Sequence, residues 1–156
     1  MKTGCQFSLC WVGDVEDDLA EYIFNSMFSL GSFSHVAHTN RVPDFFRAAD
    51  LHLFLSHREG FGNVAIEAAS CGISTFAYDI VGVRDSVCSG VSGLLFPFRD
   101  WLAVAHGIVD AIEHRKKFEA EYKGSREWAL ANFEQERIWK AYMDFFLYGE
   151  GEGIYG

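Results

Sequence analysis

Glu59 and Glu67 flank the tripeptide Gly60-Phe61-Gly62, so two carboxylates stand on either side of a glycine loop. An ionised carboxylate only accepts hydrogen bonds, and it can accept two from a vicinal diol. Gly60 and Gly62 let the backbone come close to a ligand. Upstream, Leu51-His52-Leu53-Phe54-Leu55 reads as a short buried strand, and downstream Val64, Ala68 and Cys71 recur at helical spacing. The free N–H groups at the start of that helix suit a phosphate. Glu59 and Glu67 have the wrong charge to hold a phosphate and the right chemistry to hold hydroxyls. A phosphate set between two polyols is the outline of a nucleotide sugar.

Other polar clusters carry less. Asn63 is placed to cap the helix that follows the loop. Arg58 points away from the loop if Glu59 points into it. Asp14, Glu16, Asp17 and Asp18 read as a helix N-terminus that favours negative charge. His35 and His38 lack a third ligand or a carboxylate close in sequence, so no metal site is expected. Cys5, Cys10, Cys71 and Cys88 show no metal spacing and read as reduced thiols of a cytosolic protein.

The elements that must position the loop follow from periodicity. Residues 7–12 form an apolar run ending at Gly13-Asp14, read as a strand and its turn. A helix capped by Asp17 or Asp18 carries Leu19, Tyr22, Ile23, Met27 and Leu30 on its apolar face and stops at Gly31. Residues 34–37 make a weak strand, and residues 42–49 a helix with Pro43 in its first turn. Strand 51–55 and helix 63–71 carry the loop between them. Strand 74–78, a helical turn at 83–87 that includes Arg84, and strand 93–96 come next. Asp100 caps a helix with the stripe Val104, Ile108, Ala111 and Ile112, and residues 114–117 sit at its negative end. Helical stretches near 119–131 and 134–147 close the chain.

Strands alternating with helices predict an α/β fold: a doubly wound, Rossmann-like parallel sheet with helices on both faces. Such sheets bind ligands beyond the carboxyl ends of their strands. Gly13, Ser56, Asp79 and the glycine loop all fall at that edge. Residues 1–148 read as one domain and residues 149–156 as a flexible glycine-rich tail. At 156 residues, 49% of them hydrophobic, the chain can bury a real core. The net charge of −9 argues against a nucleic-acid partner and against docking on anionic lipid by bulk charge. No apolar run reaches the length of a membrane span, and the N-terminus does not read as a signal peptide.

The segment Glu59-Gly-Phe-Gly-Asn-Val-Ala-Ile-Glu67 resembles the donor-site motif of retaining GT-B glycosyltransferases of family 4, the group 1 transferases. Ala48-Ala49-Asp50, Ser56, Glu67-Ala68-Ala69-Ser70-Cys71-Gly72, the run from Asp79 to Asp85 and the run from Gly90 to Pro97 fall in the same order and spacing. The resemblance covers residues 8 to 147. It implies the C-terminal, donor-binding domain of a two-domain enzyme that moves a hexose or N-acetylhexosamine from a nucleotide sugar to a glycan or a lipid-linked acceptor.

The same resemblance assigns roles. Glu59 is the residue tied to catalysis, holding sugar hydroxyls and acting neither as nucleophile nor as general base. Glu67 holds the ribose diol. Gly60, Phe61, Gly62 and Asn63 offer N–H groups to the diphosphate, and Gly13 and Arg84 line the same substrate-binding edge. No metal or other cofactor is required. The sequence variant is similar to the bacterial surface-polysaccharide branch, which points to a UDP sugar and to a cytoplasmic protein, peripheral at the inner membrane face.

The acceptor-binding domain and the family's first strand–helix unit, with its phosphate-clamping Arg and Lys, have no counterpart in the chain. The strand at residues 7–12 resembles the family's second strand. The absent first strand normally lies in the middle of the sheet. A fragment, a partner chain that supplies the rest, and a different pairing of residues 7–12 all remain open. So do a non-catalytic nucleotide-sugar binder and a truncated remnant. The apolar face of the last helix, with Ile138, Tyr142, Phe145 and Phe146, is expected to meet the other domain or a second copy of the chain.

Overall fold

A computed structural model of the chain describes residues 6–15, 22, 25–27 and 32–148. Its strands are β1 (Leu9–Val12), β2 (Phe33–Val36), β3 (His52–Phe54), β4 (Thr75–Tyr78) and β5 (Gly93–Phe96). Its helices are α1 (Val42–Ala48), α2 (Asn63–Ser70), α3 (Trp101–Glu113), α4 (Arg115–Glu121), α5 (Ser125–Phe133) and α6 (Gln135–Tyr148). Within the expected helix that ends before Gly31, Tyr22 and residues 25–27 are helical. Its proposed caps and most of its apolar face lie outside the described residues, as does the tail 149–156.

Every ladder is parallel, as the alternation of strand and helix predicts. Residues alternate in direction along β4, and this builds two cores. Ala77 points to one face, where it meets Ala65 of α2 together with Val83 and Val87. Phe76 and Tyr78 point to the other, where they meet Phe96 and Val104, with Ile108, Ala111 and Phe118 packed around them. The helices therefore cover both faces. On the first face α2 also packs against α5, and the buried residues of the two are small: Ala65, Ala68 and Ala69 on one, Ser125 and Ala129 on the other.

The sheet is divided. β1 pairs with β2, β3–β4–β5 form a second ladder, and no ladder joins them among the described residues. Leu9 N–H bonds Ser32 C=O at 2.8 Å and Gly13 N–H bonds Val36 C=O at 3.0 Å. Residues in step with Leu9 and Gly13 thus face β2, and Cys10 and Val12 turn their backbone groups the other way. The family resemblance places a central strand where this chain has two unjoined ladders.

Three local expectations are corrected. Asn63 does not cap α2: the capping position is Gly62, in the left-handed region at φ +76°, and no side chain caps the helix. Residues 114–117 do not simply end α3. His114 is at once the last cap of α3 and the first cap of α4, and Arg115, Lys116 and Lys117 form the first turn of α4. Arg115 there bonds Asp50 at 2.6 Å and Glu119 at 2.7 Å. The stretch 119–131 is two helices, interrupted at residues 122–124. The Asp100 cap is as predicted, its carboxylate accepting from Ala103 N–H at 3.0 Å.

Candidate functional site

The eight residues 55–62 join β3 to α2, and Gly62 makes the final turn into the helix. Its positive φ excludes an ordinary L-residue without strain. A β-carbon at Gly62 would also lie 2.7 Å from Ser86 Oγ and 3.0 Å from Phe54 Cε1. Ala65 N–H makes the first helical bond, to Gly62 C=O at 2.9 Å. Among the described residues the N–H groups of Gly60, Phe61, Gly62 and Asn63 have no acceptor. They are left open at the positive end of the α2 dipole.

The two carboxylates are equally uncommitted. Glu59 is half-buried and Glu67 exposed, and neither forms an ion pair or hydrogen bond with a described residue. Phe61 meets Phe133 of α5 edge-on and stays partly exposed, while its backbone N–H has no acceptor among the described residues. Asn63 is exposed in the first turn of α2.

Arg84 and Asp79 share the carboxyl edge of the sheet with the loop. Arg84 Nε donates to Asp79 Oδ1 at 2.5 Å, and that hydrogen bond, with the charge of Asp79, raises the Arg84 pKa above its ordinary value. The predicted substrate cation is therefore already paired, while both side chains stay accessible to solvent. Gly13 ends β1 at φ +130°, and its carbonyl bonds His35 Nε2 at 2.8 Å. Asp14 accepts from His38 N–H at 3.2 Å, so this acid of the N-terminal cluster ties β1 to β2. Among the described residues no three His, Cys, Asp or Glu side chains converge as a metal ion would need.

Two features of this edge escaped the sequence reading. One is that Gly82, at φ +89° in the turn predicted at residues 83–87 and found at 81–86, abuts the Glu59 and Gly60 carbonyls. The other is an aromatic group after the strand ends: His57 meets Phe98 at 5.3 Å, Tyr78 meets Phe98 at 5.8 Å, and the Arg99 guanidinium lies 5.1 Å from the Phe98 ring centre. Glycine next to an exposed valine was the only hint of the first. The second had the signal of an aromatic directly beyond β5.

Comparison with known proteins gives the family and the fold. The family described as Glycosyl transferases group 1 matches residues 8–128. A D-inositol 3-phosphate glycosyltransferase of Geodermatophilus obscurus is 35% identical over 94 residues, 58% of this chain and 21% of that protein. The capsular polysaccharide biosynthesis glycosyltransferase CapM of Staphylococcus aureus is 27% identical over 160 residues, 97% of this chain and 42% of its own length. The chain thus spans less than half the length of these relatives. The structure of Anabaena Alr3699/HepE in complex with UDP superposes with a TM-score of 0.82 at 23% identity, covering 90% of this chain and 40% of that one. At that identity the likeness is one of fold.

Proposed function

The chain belongs to the group 1 glycosyl transferases, and on that premise we propose that it is the donor-binding part of an enzyme that transfers a sugar from a UDP sugar with retention at the anomeric carbon. One observation carries the reading: a row of N–H groups at and before the α2 N-terminus, and the two carboxylates on either side of it, have no partner among the described residues. The N–H groups suit a diphosphate. Glu67, on α2, suits the ribose diol, and Glu59, at the mouth of the loop, suits the sugar hydroxyls. HepE, a relative in fold, has been solved with UDP and with UDP-glucose, in agreement with that choice of donor.

Sugar transfer breaks the bond between the anomeric carbon and the diphosphate oxygen through an oxocarbenium-like state, and the electron pair leaves with the diphosphate. Preorganised N–H groups stabilise that growing charge without moving a proton. Glu59 orients the sugar and the site does not call on a metal ion. The acceptor hydroxyl is held by a further lobe, in the same protein or in another chain, and the acceptor is a glycan or a lipid-linked carrier at the cytoplasmic membrane face. By itself the 156-residue chain has no transferase activity and binds donor weakly. A second reading, a nucleotide-sugar binder without catalysis, is favoured by the Arg84–Asp79 pair, which takes up a cation at this edge.

Calorimetric titration of the chain with UDP, GDP and ADP tests the proposal. UDP binding with a dissociation constant on the order of a millimolar is expected, with weaker or no binding of GDP and ADP. Heat from none of the three would remove the donor-site assignment. Transfer restored by adding an acceptor lobe in trans separates the enzyme from the pure binder.

A further inference from the structure

We propose that Gly82 is a positioning residue, which turns the Glu59–Gly60 and Gly60–Phe61 peptides so that their N–H groups point into the site. The role assigned to those N–H groups rests on the donor-site reading above; the geometry stands without it. A β-carbon at Gly82 would come within 2.7 Å of both the Glu59 and the Gly60 carbonyl oxygens, and 2.9 Å of the Gly60 carbonyl carbon. These are backbone atoms, so they can yield only if the two peptides rotate. Both peptides are trans, and in a trans peptide the N–H points opposite to the C=O. Two carbonyls gathered on Gly82 therefore aim the Gly60 and Phe61 N–H groups away from it.

The same turn touches the loop a second time. Ser86 is fully buried and donates to Val83 C=O at 3.1 Å, and its Oγ closes the space over Gly62. The turn is itself held in place, since Val83 and Val87 are buried in the core with Ala65 and Ala77. It acts as a template with two points of contact, one for the carbonyls of residues 59 and 60 and one for Gly62.

An alanine at position 82 would suffer from positive φ as well as from the carbonyl contact, and two other glycines separate these effects. Gly72 and Gly90 both have φ +82°, and a β-carbon on either meets nothing within 4 Å. Gly82→Ala, Gly72→Ala and Gly90→Ala are compared in the full chain by amide NMR, first without ligand and then with inorganic pyrophosphate and with UDP. All three should lose thermal stability. Only Gly82→Ala should shift the ligand-free Gly60 and Phe61 amide resonances, and only it should weaken pyrophosphate and UDP, by about tenfold for two misaimed charge-assisted bonds. Ser86→Ala is the milder probe, expected to speed exchange of the Gly62 amide in a chain that still folds. Unmoved Gly60 and Phe61 resonances in Gly82→Ala, or equal ligand loss in all three variants, would overturn the proposal. If the wild-type chain binds neither pyrophosphate nor UDP, the donor-site reading fails, and the ligand-free spectra still decide whether Gly82 sets these peptides.

Discussion

Phe61, in the middle of the glycine loop, stands edge-on to Phe133 at the end of α5, with ring centres 5.9 Å apart and planes at 73°. Phe133 also meets Trp128 at 5.3 Å. The loop is thereby tied to a helix more than sixty residues later. Phe133→Ala should lower stability by roughly 3 kcal/mol, the scale of two lost aromatic pairs plus a half-buried ring. It should also weaken UDP by loosening the loop. Urea unfolding together with calorimetry checks both, and an unchanged UDP affinity would detach Phe61 from the site.

Glu67→Ala should weaken UDP more than it weakens uracil, because only the nucleotide offers a ribose diol. Loss of a charged acceptor to such a group costs roughly 1.5–3 kcal/mol. Calorimetry with both ligands measures the difference, and equal UDP affinity in mutant and wild type takes Glu67 out of the site.

Glu59→Ala should leave UDP nearly untouched and impair binding of the UDP sugar. The two ligands differ only in the hexose, so the ratio of their affinities isolates this carboxylate. A mutant that loses UDP itself shows that Glu59 belongs to the nucleotide rather than the sugar.

How much of this was legible beforehand depends on the range of the interaction. The strand, loop and helix around Glu59 and Glu67 could be read because each is set by neighbours in sequence, as were the Asp100 cap and the early Pro43. Asn63 misled because its residue type suits a cap, while the tight turn demands left-handed backbone one residue earlier and hands that position to Gly62. The break at residues 122–124 was marked by Gly124 and hidden by the strong helix formers around it. Gly82 under the Glu59 and Gly60 carbonyls, Phe61 on Phe133 and Arg115 on Asp50 join segments far apart in sequence. No local pattern encodes them.

Acid should destabilise the chain through His52. Its ring stacks on Phe54, meets Phe46 edge-on, and sits 3.1 Å from Thr75 Oγ1 through Nδ1. Burial lowers its pKa from 6.5 to about 4. Above pH 6.5 His52 is neutral in both states and contributes no pH dependence. Between pH 6.5 and 4 the unfolded chain takes up a proton that the folded chain refuses, so stability falls, by roughly 3 kcal/mol in all. His52→Gln keeps a hydrogen-bonding group for Thr75 and cannot titrate. The difference in urea midpoint between pH 7 and pH 4.5 should shrink in that variant, and an identical slope rules His52 out.

The chain should self-associate through α6. Trp139, Tyr142, Phe145, Phe146 and Leu147 are each more than half exposed there, well beyond what single scattered apolar residues explain. Replacing Trp139 and Phe146 by Glu should shift the sedimentation velocity profile to monomer. Addition of the acceptor lobe should have the same effect, and a wild-type chain that is monomeric at all concentrations counts against α6 as a contact surface.

Among the described strands, only β4 has a neighbour on each side. That has a consequence for how the chain opens. Among the described residues the β1–β2 pair and the β3–β4–β5 ladder share no interstrand bond, so they form two units, either of which can open without breaking a ladder bond of the other. A ligand that touches only the Gly60–Gly62 loop would stabilise the second unit and leave the first as it was. One that also reaches Gly13 would draw on both, and the two ladders would then melt together.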